Sequence, residues 1–211
     1  MKRELENYWR ENKIKFEEIV EKLDYLPNGV FYTEGLLLCS VFDLLEVDLI
    51  LESGTAYGQS TELMANHFDK RIITVDSDAA GYKQYENTKE RLSKYKNVEC
   101  MFGDSRELLP RLARENGDKK LGVFIDGPKG KKATALGNWL LQYSSTICVM
   151  YHDLSKYGKI YKSKSKSTNL NSSQLDFINK DYGYLNDKVL KAFPEMKRYL
   201  PDGPGVFIQL K

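Results

Sequence analysis

The stretch that decides the fold is 48-DLILESGTAYGQSTELMANHF-68. A short apolar run ends on Glu52, Gly54 and Gly58 follow four residues apart, and Leu63, Met64 and Phe68 then recur at helical spacing. A buried strand, a glycine turn and a helix form the opening half of a βαβ unit. Glycine at 54 and 58 predicts a backbone that a ligand can approach without meeting a Cβ. Ser60 is suited to cap the helix.

Outward from that stretch the alternation continues. Strands are expected at DLILES, RIITVDS, VECMFGD, LGVFIDG and TICVMYHD, with helices at QSTELMANHF, AGYKQYENTKERLSKY, LLPRLAREN and KKATALGNWLLQYSS. This order predicts an α/β, Rossmann-like doubly wound sheet, mostly parallel and covered by helices on both faces. A single domain spans 1–211: a helical segment at 1–47, a βαβ core at 48–153, a lysine- and serine-rich loop at 154–174, and a helix with a hairpin at 175–211. Leu5, Trp9, Phe16, Ile19 and Leu23 form a helical stripe over 4–24 that packs on its own domain or forms a dimer seam. The run YLNDKVLKAFPEMK reads as a helix, and RYLPDGPGVFIQLK as a closing antiparallel hairpin, for about seven strands in all.

Bulk properties narrow the class. Apolar residues make up 41% and charged residues 29% of 211, which is globular composition. A net charge of +2 argues against a general nucleic-acid binder, so any basic surface must be local. Cys39, Cys100 and Cys148 show no disulfide or CxxC pattern, and MKRELENYWRENK lacks the apolar core of a signal peptide. No apolar run reaches membrane-spanning length. A cytoplasmic protein is expected.

In a doubly wound sheet, ligands bind outside the carboxyl ends of the strands. Here each strand ends in a polar or acidic residue: Glu52, Asp76, Asp104, Asp126 and His152–Asp153. Asp76, 22 residues after Gly54, is placed to accept both hydroxyls of a ribose. Asp104 is suited to an adenine amino group or, alternatively, to capping the turn near Glu107. The spacing is neither GxGxxG nor GxxxxGK[ST], so a nucleoside fits better than a dinucleotide or a nucleoside triphosphate.

At these residues the sequence resembles the class I S-adenosylmethionine-dependent O-methyltransferases, the catechol and caffeoyl-CoA type most closely. EGLLLCSVFDLLEVDLILESGTAYGQST, ITVDSD, VECMFGDSRELLPRL and VFIDGPKG carry the likeness over about residues 34–153. The resemblance implies that Glu52, Gly54, Gly58 and Ser60, with Thr55 and Tyr57 of the same turn, surround the methionine part of the cofactor. It puts Asp76 and Ser77 at the ribose, and Gly103, Asp104 and Ser105 at the adenine. By the same resemblance Asp126 adjoins the cofactor and binds a divalent metal such as Mg²⁺, and Lys129, three residues on, acts as base. Where the family has Asp-Asn after the fifth strand this chain has His152–Asp153, so Asp126, His152 and Asp153 are the candidate ligands. Without metal, His152 is the alternative base.

The expected reaction is methyl transfer to a hydroxyl of a small-molecule acceptor. Lys129, Lys131 and Lys132, with Lys156, Lys159, Lys162, Lys164 and Lys166 after the fifth strand, suggest a flap selecting a carboxylate or phosphate, or else a solvated loop. The alternatives are a nucleic-acid methyltransferase, disfavoured because the fourth strand reads DGPKG, and a nucleoside-binding protein without methyl transfer. A homodimer through the first helix is left open.

Overall fold

The computed structural model describes residues 2–27, 29–77, 82–152, 169–170, 175–199 and 206–211. Five parallel strands, β1 (Leu49–Ser53), β2 (Arg71–Asp76), β3 (Val98–Phe102), β4 (Leu121–Ile125) and β5 (Thr146–His152), continue into β7 (Val206–Leu210) and β6 (Asn169–Leu170). The order across the sheet is β3-β2-β1-β4-β5-β7-β6, with β7 antiparallel to both β5 and β6. The expected antiparallel edge is present: β7 pairs with β5 and with 169–170, and 200–205 of the expected hairpin lie outside the described residues. Arg198 and Tyr199 instead end a 3-10 helix, Pro194–Tyr199.

Strand alternation divides the core in two. Ile50, Ile72, Phe124, Met150 and Ile208 face one apolar layer; Leu51, Ile73, Val123, Val149 and Phe207 face the other. The first layer is covered by α3 (Tyr32–Leu44), buried on all sides from Tyr32 to Phe42. A helix apolar all round needs cover on its outer side too. The N-terminal segment supplies it, as α1 (Lys2–Glu11) and α2 (Lys13–Lys22), whose Leu5, Trp9, Phe16 and Ile19 join the same core. The expected single helix over 4–24 is broken at Asn12: its side-chain amide and its backbone N–H both donate to the Tyr8 carbonyl, at 2.9 and 3.0 Å. Local side-chain competition of this kind ends helices.

The remaining helices are α4 (Gln59–His67), α5 (Tyr82–Leu92), α6 (Ser105–Glu115), α7 (Lys131–Leu140), α8 (Asp176–Tyr182) and α9 (Asp187–Ala192). The C-terminal helix expected at 184–197 is thus divided, with Pro194 unable to continue α9. Cys39, Cys100 and Cys148 are free thiols. Among the described residues no helix is long and apolar enough to cross a membrane. Asp153, the five lysines between 156 and 166, and most of 154–174 lie outside the described residues.

Candidate functional site at the strand switch point

Strand order reverses between β1 and β4, so the turns leaving those strands meet at the carboxyl edge. Ser53 O accepts the N–H groups of Asp126 and Gly127 at 2.8 and 3.0 Å. Gly54, at φ +95°, has no room for a side chain: a Cβ would lie 2.7 Å from Gly127 N. Gly58, at φ +77°, serves a different neighbour, since its Cβ would lie 2.8 Å from an Arg91 nitrogen of α5. Arg91 also donates to Tyr57 O and pairs with Glu62. The two glycines therefore bring protein segments together, whereas the sequence suggested ligand approach at both.

Each acidic strand end has its own environment. Glu52 points beneath α4, fully buried, and accepts the Ser60 and Thr61 hydroxyls. Ser60 is not the helix cap, because Gly58 holds that position. Asp76 accepts the Ala56 N–H, while Thr55 and Thr74 share a 2.6 Å hydroxyl contact above β2. Burial, reinforced by Asp126, raises the Asp76 carboxyl above its ordinary range. Asp104 caps α6 by accepting Arg106 N–H at 2.8 Å and pairs with the Arg106 guanidinium in an exposed position. Gly103 joins β2 through its N–H to Asp76 O at 2.8 Å, and Ser105 opens α6. Glu52 is thus withdrawn under α4 and Asp104 turned to solvent, and the three carboxylates do not line one open crevice.

Burial pushes the Glu52 carboxyl up to about 7 against the opposing hydroxyl bonds. A carboxyl raised in the folded state binds more protons there than when unfolded, so it costs stability as pH rises from about 4 to 7. Glu52→Gln is expected to remove a penalty of about 3 kcal/mol at neutral pH. Guanidinium melts of both proteins at acid and neutral pH measure this; parallel curves would refute it.

The tightest cluster lies at the ends of β4 and β5. Asp126 Oδ1 accepts from Lys129 Nζ and lies 2.8 Å from His152 Nδ1; the other ring nitrogen, Nε2, is 3.2 Å from Glu34 Oε2. Burial alone would raise Asp126 and lower His152. The mutual attraction of the pair, strengthened by Lys129 and Glu34, wins: Asp126 falls to about 2 and His152 rises well above the usual histidine range. This bonding favours the protonated imidazole over the neutral one.

The same bonding bears on a metal. Asp126 Oδ1 already meets two cationic groups, and both His152 nitrogens face carboxylates. Among the described residues no set of three His, Cys, Asp or Glu is disposed to hold an ion. Asp153, the third candidate ligand, lies outside the described residues.

Between the two turns is a cleft lined by Gly29, Val30, Thr55, Tyr57, Gln59 and Asp126, among others. Its volume is about 10 Å³, room for a single water. Its chemistry is nonetheless that of a polar ligand site. The Gln59 side chain is buried; its oxygen accepts Leu26 N–H at 2.6 Å, and its Nε2, near the Tyr32 hydroxyl, makes no close hydrogen bond among the described residues. A buried donor without a partner costs about 1–3 kcal/mol, which a ligand acceptor would relieve. A larger concavity of about 840 Å³ borders Arg71, Lys94 and Glu99 at the opposite edge of the sheet, remote from this chemistry.

Glu34 and Gln59 escaped the sequence reading. Glu34 did carry a signal, as the one charge within FYTEGLLLCSVF; Gln59 looked like an ordinary first helical residue.

No protein-family model matches the chain, and a search of the curated proteins finds no match. Solved structures do match. The O-methyltransferase TomG from Streptomyces achromogenes, involved in tomaymycin synthesis and solved with SAM, is 20% identical over 93% of this chain and 87% of its own, with a TM-score of 0.56. Cofactor-bound Rv0187 from MTB is 19% identical over 93% and 86%, with a TM-score of 0.54. SAH-bound methyltransferase PaMTH1 from Podospora anserina is 18% identical over 98% and 87%, with a TM-score of 0.52. The fold is that of the class I methyltransferases, as the motif resemblance implied.

Proposed function

We propose that the protein is an S-adenosylmethionine-dependent methyltransferase acting on a hydroxyl oxygen of a small molecule. The observation that carries this reading is the Gln59 amide, without a close hydrogen-bond partner among the described residues and buried in a cleft at the β1/β4 switch point with Asp126 on its wall. The cofactor, when bound, supplies a sulfonium methyl that is already electrophilic. Gln59 Nε2 donates to its amino-acid carboxylate. Asp76 accepts from the ribose hydroxyls, and Asp104 and Ser105 flank the base. Glu52 ties down the first turn of α4 so that the turn beneath the cofactor keeps its shape.

Lys129, half exposed beside Asp126, takes the acceptor proton as methyl transfer proceeds, after giving its own ammonium proton to solvent. Lys131 and Lys132, exposed at the start of α7, favour an acceptor bearing carboxylate or phosphate. Because the cleft is narrow, binding must part the Gly54–Ser60 turn from its neighbours.

Calorimetry with S-adenosylhomocysteine tests the reading. The wild-type chain is expected to bind it, and Gln59→Leu to bind about tenfold more weakly, the worth of a hydrogen bond to a charged group. No binding by the wild-type protein would refute the assignment.

A further inference from the structure

We infer that Thr88 of α5 is a positioning residue: by holding the Ala56 carbonyl it keeps the Ala56 N–H on Asp76, and so sets the Asp76 carboxylate for the ribose hydroxyls. The strained residue of the turn is Ala56. Its φ is +44°, in the left-handed region that a side chain disfavours. Returning φ to the ordinary negative range would release that strain. Both polar backbone groups of Ala56 oppose the return. Its N–H donates to Asp76 Oδ2 at the end of β2, and its carbonyl accepts the Thr88 hydroxyl at 2.8 Å.

The Thr88 hydroxyl is committed to this contact. A helical threonine commonly turns its hydroxyl to the carbonyl one turn back. Here Gln84, one turn back on α5, instead donates its Nε2 to Thr88 Oγ1 at 3.1 Å. A hydroxyl has one proton, and with Gln84 donating to its oxygen that proton goes to Ala56 O. Thr88 is 2% exposed, so solvent competes little for the bond.

Arg91, one turn further along α5, donates to the next carbonyl, Tyr57 O. The helix thus grips two consecutive carbonyls of the turn. Loss of the Thr88 bond frees the peptide between Ala56 and Tyr57. Return of φ to negative values then turns the Ala56 N–H out of line with Asp76, and the carboxylate loses a donor that orients it. Thr88 acts through Ala56 and Asp76, without touching the ribose. It lies 32 residues from Ala56, in a helix that no motif marks. The ribose half of the inference rests on the methyltransferase reading; the contacts joining Thr88, Ala56 and Asp76 do not.

Amide hydrogen exchange and calorimetry test the two halves. The Ala56 amide is expected to be protected in wild type, and about tenfold less so in Thr88→Val, which keeps the shape but lacks the hydroxyl. Wild type is expected to prefer S-adenosylhomocysteine over its 2′-deoxy analogue about tenfold, the worth of a hydrogen bond to a carboxylate. Thr88→Val is expected to bind S-adenosylhomocysteine about tenfold more weakly and to lose most of that preference. A merely structural role would weaken both ligands alike and leave the preference intact. Thr88→Ser keeps the hydroxyl and is expected to retain wild-type protection and preference. Gln84→Leu, which frees the hydroxyl to turn, guards against an unfolded Val variant and is expected to move both readouts in the same direction. An Ala56 amide that exchanges alike in wild type and the folded variants, or an unchanged preference in them, would overturn the inference. A wild type that fails to bind S-adenosylhomocysteine, while its Ala56 protection depends on Thr88, overturns the functional reading instead.

Discussion

Gly54→Ala is expected to destabilise the protein by about 2–6 kcal/mol and to weaken S-adenosylhomocysteine binding. Two costs add. A non-glycine residue forced into a sparsely populated backbone region loses about 1–3 kcal/mol, and Gly54 sits at φ +95°. The new methyl would also lie 2.7 Å from Gly127 N and 3.1 Å from the Asp126 carbonyl carbon. Both are backbone atoms of the adjoining turn and cannot rotate away, and overpacking of this kind costs about 1–3 kcal/mol. Relief requires the β1 and β4 turns to separate, which displaces Asp126 from His152 and distorts the cleft. Gly117→Ala is the control: it has ordinary φ and its nearest neighbour is 3.5 Å away, so it should be near neutral. Denaturant melts and calorimetry on both variants decide the matter. A Gly54→Ala protein with wild-type stability and affinity would show that the two turns do not touch as described.

Trp9→Ala is expected to lose about 3–5 kcal/mol, the usual cost of deleting a large buried aromatic side chain. Trp9 is fully buried at the junction of three helices. Its ring lies 4.9 Å from Phe16 of α2, 4.9 Å from Tyr182 and 6.5 Å from Phe177, both of α8. One residue thus joins the N-terminal segment to the C-terminal helices. The indole Nε1 is buried without a hydrogen-bond partner among the described residues. Trp9→Phe removes that unsatisfied donor while retaining most of the contact area, and is expected to cost at most about 1 kcal/mol. Equal losses for Ala and Phe would mean that the indole N–H, rather than ring packing, holds the junction.

The two substitutions also separate what the sequence could reveal. The stripe Leu5–Trp9–Phe16–Ile19 was legible because helical periodicity is a local property, and these residues do enter the core of the chain's own fold. The break at Asn12 was not, because it depends on one amide finding the Tyr8 carbonyl. Strands β1 to β5 were legible as apolar runs with acidic ends. The partner of β7 was not: β6 has two residues, too few for any pattern, and pairs across a long separation.

For the site, sequence alone determined that acidic residues end successive parallel strands and that glycine turns follow the first, since strand, turn and helix signals arise from neighbouring residues. Tertiary structure decided what each side chain faces. Glu52 turned inward because its strand register puts it under α4; Asp104 turned outward to Arg106; Gly58 yielded its space to α5. It alone brought Glu34 to His152. Charge pairing between residues far apart in the chain depends on how helices cross the sheet, and no local pattern encodes that crossing.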